Sequence, residues 1–177
     1  MRMTGFSLLE LIVTMAIVAV VLVIGVPSFI ELLRSNRVSA LTSRLVTAMN
    51  LTRSEAIKTG SRVTLCKSAD GATCIQTGGY QQGWIVFVDE TPLAVRDVNN
   101  ARERLVRVFE AAPGAKLRLT GNSTVANYVS YDAMGVARLI AGGFQAGTLT
   151  VCEPPIGRKV VLSSGGRIRT EAVSCSD

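Results

Sequence analysis

The feature that most restricts this chain is an apolar run close to its start. From Leu8 to Pro27 the only charged residue is Glu10, and the only other clearly polar side chain is Thr14. Leu11 to Val26 is slightly short for a free-standing membrane span. Counted from Phe6, the run makes a helix of about 30 Å, which is enough. A carboxylate at that depth costs roughly 2.5–3.5 kcal/mol, so Glu10 needs a partner. A plain anchor leaves this cost unexplained. A secretory signal fits no better, because Arg2 is the sole basic residue before the run and Val26-Pro27-Ser28 is a poor cleavage site.

Past Pro27 the helical pattern continues. Val38, Leu41, Leu45, Ala48 or Met49, Thr52 and Ala56 recur at steps of three and four, which makes one apolar stripe. Arg34, Arg37, Arg44 and Arg53 fall mainly off it. Pro27 removes a backbone hydrogen bond and should kink or loosen the helix, and Gly60 is a natural stop. A helix from Phe6 to Thr59 would be about 80 Å long, too long for a compact domain and suited to a filament subunit.

The rest reads as strands rich in β-branched and aromatic residues: 62–66, 84–88, 104–109, 116–120, 128–131, 148–152, 159–163 and 167–171. The last two flank Ser164-Gly165-Gly166, a good hairpin signal. Trp84 reads as a core anchor. The fold class is α+β, a long kinked N-terminal helix packed on a C-terminal antiparallel β domain.

Four cysteines, Cys66, Cys74, Cys152 and Cys175, all follow the apolar run. With no C-x2-C pair and no histidine, a metal site is not indicated, and disulfides in an oxidising compartment are. Three connectivities are open. The favoured one joins Cys66 to Cys74 around a polar loop and Cys152 to Cys175 at the C-terminus. Arg34, Arg37 and Arg44 would by the positive-inside rule lie in the cytoplasm; the cysteines argue for the other side.

Catalysis finds no support. Without histidine there is no Ser-His or Cys-His pair, and Asp89 and Glu90 are adjacent, so a strand would turn them to opposite faces. The glycines at 142, 143 and 147 lack the Lys-Ser/Thr of a phosphate loop. No cofactor is implied.

Thr4-Gly5-Phe6-Ser7-Leu8-Leu9-Glu10 resembles the type III signal of type IV pilins and type II secretion pseudopilins. That resemblance implies a leader of residues 1–5, cleavage between Gly5 and Phe6 by a prepilin peptidase, and N-methylation of Phe6. Residues 6–27 would then form the inner-membrane and filament-core helix, 28–60 its amphipathic second half, and 61–177 an extracytoplasmic β domain. It also supplies the missing partner: in a bundle of such helices, Glu10 of one subunit pairs with the terminal amine of its neighbour. Cysteine-closed loop, Gly83-Trp84-Ile85-Val86-Phe87, a late cysteine, Gly166-Arg167-Ile168-Arg169 and a terminal cysteine are together similar to the GspH/FimT/FimU group of minor pilins and pseudopilins. The partners implied are major and minor pilins.

The same group's GRxR stretch implies DNA contact. Net charge is +6, one less once Arg2 leaves with the leader. On a strand Arg167 and Arg169 face the same way, about 7 Å apart, with Ile168 turned to the core. Gly165 and Gly166 leave the turn open to a phosphate backbone. Arg158 and Lys159 on the partner strand extend the basic patch, and Glu171 competes for Arg169. Contacts of this kind are to phosphates and carry little sequence preference.

Overall fold

The computed structural model describes residues 8–90, 94–114 and 116–176. Helix α1 spans Leu8–Thr59 and runs through Pro27 without a break. The chain divides into two compact units, one ending at Asn36 and one beginning at Arg37, and α1 contributes to both. In the first, every large apolar side chain from Leu8 to Leu33 is exposed. A helix that is apolar all round needs lipid or other helices to cover it.

In the second unit α1 turns the predicted stripe inward: Val38, Leu41, Leu45, Ala48, Met49, Thr52 and Ala56 are buried, with Thr42 beside them. The two threonines are satisfied locally, since their hydroxyls donate to the carbonyls of Val38 and Ala48 at 2.7 Å. The helix ends where Gly60 takes φ +62°, a left-handed turn that glycine enters without steric cost.

Among the described residues eight strands follow: β1 (Val63–Lys67), β2 (Trp84–Val88), β3 (Leu105–Phe109), β4 (Arg118–Gly121), β5 (Tyr128–Tyr131), β6 (Gly147–Glu153), β7 (Ile156–Leu162) and β8 (Ile168–Ser174). They form two antiparallel sheets of four, in the orders β3-β2-β1-β5 and β4-β6-β7-β8. Alternate residues from both sheets, including Leu65, Trp84, Val86, Leu149, Val151, Val160 and Leu162, meet the α1 stripe in one core. The other side of the first sheet carries a smaller cluster of Cys66, Ile85 and Phe87, packed with Cys74, Leu105 and Tyr128. β1 and β2 are therefore buried on both faces, which is why β2 reads as a continuous apolar run. Trp84 is a core residue, stacked on Phe109 with ring centroids 5.4 Å apart.

Disulfides join Cys66 to Cys74 and Cys152 to Cys175, with Cα separations of 5.6 and 6.1 Å. The first closes a loop in which the Asp70 carboxylate accepts the hydroxyl and N–H of Thr73 and the N–H of Ala72. Those bonds, the Thr73 hydroxyl foremost, hold its carboxyl well below the usual range. The second fastens the chain beyond β8 to β6.

Candidate functional site

The GRxR stretch sits on the β7–β8 hairpin. The Gly166 N–H donates to the Ser163 carbonyl at 2.8 Å, and the Ser163 N–H donates to the Arg167 carbonyl at 2.9 Å, which closes the turn. Opposite residues pair as Leu162 with Ile168, Val161 with Arg169, and Lys159 with Glu171. Leu162 is buried and Ile168 packs on the core, so Arg167, Arg169, Lys159 and Val161 face outward. A cleft of about 250 Å³ there is lined by Val161, Ser163, Arg167 and Arg169.

One sequence expectation changes, and the competition expected from Glu171 is present. Arg158 alternates with Lys159 and pairs with Ala172, so it points to the side that carries Val160 and Leu162 and does not join the outer patch. Adjacent residues on one strand cannot share a face. Arg169 is not free either: its Nε lies 3.1 Å from the Glu171 carboxylate, with the two side chains 67% and 50% exposed. A pair this open is worth little and gives way to a better anion. Arg167 is exposed and has no ion pair among the described residues.

Gly166 serves the architecture of the turn. It is buried at φ +78°, and a Cβ there would lie 2.8 Å from the Gly135 carbonyl oxygen and 3.0 Å from Tyr131 Cε1. Gly165 has open space around it. Arg53 of α1 braces this turn by donating to the carbonyls of Gly166 at 3.3 Å and Gly165 at 3.4 Å. Arg53 went unrecognised in the sequence because its partners are 112 and 113 residues away. No local pattern announces such a contact.

At the other end of the chain, Glu10 is exposed in the first turn of α1. Gly5 and Phe6 lie outside the described residues. α1 contains a segment long and apolar enough to cross a membrane. Elsewhere Asp89, almost fully buried, accepts the Thr64 hydroxyl and the Ala94 N–H at 3.0 Å, and burial pushes its carboxyl up to about 6. It ties down the loop after β2.

An apolar helix that needs covering, continued into a disulfide-braced head of two sheets, defines a pilin-type subunit. The model of the family described as type II transport protein GspH matches residues 41–166, and that of the prokaryotic N-terminal methylation motif matches residues 1–26. The chain belongs to the GspH family. No curated relative matches the sequence. Two crystal forms of the type IV minor pilin FimU from Pseudomonas aeruginosa share the fold. One, at TM-score 0.58 and 18% identity, aligns over 80% of this chain and 97% of FimU. The other, at TM-score 0.54 and 18% identity, aligns over 78% and 99%.

Proposed function

We propose that this chain is a minor pilin of a type IV pilus. It is made with a five-residue leader, cut after Gly5 by a prepilin peptidase and methylated on Phe6. It waits in the inner membrane with its head outside the cytoplasm, then enters the filament beside major and minor pilins. The observation that carries this reading is the apolar surface of α1 from Leu8 onward, bare on every side and bearing Glu10 in its first turn. A neighbouring subunit's terminal amine meets that carboxylate and fixes axial register. Removing one member of such a buried pair costs about 3–5 kcal/mol. Glu10→Ala should therefore leave leader removal intact and deplete the subunit from sheared filaments by tenfold or more. Undiminished incorporation would refute the role.

The hairpin adds weak DNA binding, of use in DNA uptake during transformation. Arg167, Arg169 and Lys159 on one outward face support it, with Glu171 displaced from Arg169 by phosphate. Gel shifts with the full chain in detergent, wild type against Arg167→Ala/Arg169→Ala, test it: the log–log salt slope should fall by about 1 per arginine. Equal slopes and affinities would leave the hairpin a structural role. A minor pseudopilin of type II secretion is the second reading, favoured by the family's description. Deleting the gene separates them, since one machine loses pili and the other loses secretion.

A further inference from the structure

A cleft of about 470 Å³ opens beside β3, away from the hairpin strands. Four consecutive residues, Arg107 to Glu110, line one wall. Consecutive strand residues point to opposite faces, so a wall built from all four runs along the strand's edge. That edge is open: β3 is the last strand of its sheet, and no strand among the described residues pairs with its outer side. Ser43, Arg44 and Thr47 of α1 line the cleft as well.

Two arginines and one carboxylate, Glu110, line the cleft. Arg44 lies over the Trp84 ring at 5.4 Å and Arg107 over the Phe109 ring at 5.1 Å, and those two rings stack on each other. Arg44 also donates to the Glu110 carbonyl at 2.7 Å. Stacking occupies a guanidinium's face and leaves its N–H rim available, already oriented, for a carboxylate. Arg37, Arg104, Arg138 and Arg169 each have an acidic partner. Arg44 and Arg107 have none among the described residues, although Glu110 is close by.

We propose that this cleft docks an extended acidic segment of a neighbouring pilin-type subunit, laid along the β3 edge with a carboxylate between Arg44 and Arg107. An open strand edge recognises backbone, and two oriented guanidiniums recognise a carboxylate. Nucleic acid fits less well, because a phosphate backbone offers only acceptors and leaves the edge carbonyls without donors. A second copy of this chain is also disfavoured, since two chains of net charge +6 repel. The proposal rests on the filament-subunit reading and is independent of DNA binding.

The test uses the full-length protein in its own bacterium, with a photo-crosslinking amino acid at Thr47, which is exposed on the α1 wall of the cleft. Filaments are sheared and the joined peptides sequenced. The expected product links Thr47 to an Asp- or Glu-containing segment of another pilin-type subunit. Its yield should fall roughly tenfold in Arg107→Glu, fall less in Arg107→Lys, which keeps the charge and loses the stacked fork, and be unaffected by Arg118→Glu on β4 of the other sheet. Arg44 is left intact because it also packs on Trp84. A product with a second copy, with lipid or with nucleic acid, a yield indifferent to Arg107→Glu, or no product from a subunit present in filaments would each overturn the docking proposal alone. Absence of the unlabelled wild-type chain from filaments would instead overturn the filament reading, and the docking site with it.

Discussion

Replacing Gly166 by alanine tests whether this glycine is there for the turn's architecture. At φ +78° an alanine costs about 1–2 kcal/mol in backbone strain alone. Its Cβ would also press on the Gly135 carbonyl oxygen at 2.8 Å, a backbone atom that cannot swing aside, for about 1–3 kcal/mol more. Moving the turn to relieve that contact would stretch both Arg53 bonds. The expected loss is about 2–5 kcal/mol. Gly165→Ala is the matched control: nothing lies within 4 Å of its Cβ position, so its effect should stay within about 0.5 kcal/mol. Urea unfolding of the full chain in detergent reads both, followed by the fluorescence of Trp84, the only tryptophan and fully buried. At about 2 kcal/mol per M of urea, the Gly166→Ala midpoint should drop by 1 M or more. A midpoint within 0.2 M of wild type would refute the packing argument and return Gly166 to the role of an open approach for phosphate.

Further expectations concern the rest of the head. Cys152→Ser/Cys175→Ser should cost about 2–4 kcal/mol in the same assay, since it frees the end of β8 from β6; an unchanged midpoint would contradict that link's importance. Asp89 titrates in the native protein at about 6 against an ordinary 3.8, so the native state holds its proton more tightly than the unfolded chain. Its contribution to stability is therefore full below pH 4 and lost as pH rises to 6, by up to about 3 kcal/mol. The difference in stability between wild type and Asp89→Asn should shift across that window, and a constant difference would show that burial does not hold the proton.

Much of the fold could be read in advance because it is local. All eight strands lie within a few residues of the segments rich in Val, Ile and aromatic side chains, and the α1 stripe from Val38 to Ala56 is the buried face. Both cysteine pairs are those favoured from their spacing and setting. What escaped is non-local. Nothing in a single strand reveals that β1 pairs with β5, or that the strands divide between two sheets. The Arg53 brace and the Arg44–Trp84–Phe109–Arg107 stack depend on that same tertiary arrangement. The assignment of Arg158 to the basic patch failed for a simpler reason: period-two alternation separates it from Lys159. At Pro27 the helix runs on.

The central claim is that this chain reaches a filament as a processed subunit. Mass spectrometry of the protein from sheared, washed filaments tests it directly through the N-terminal peptide. The account predicts a chain that begins at N-methylated Phe6. A filament-associated chain that still begins at Met1, or one cut after Val26 and lacking Glu10, would contradict it.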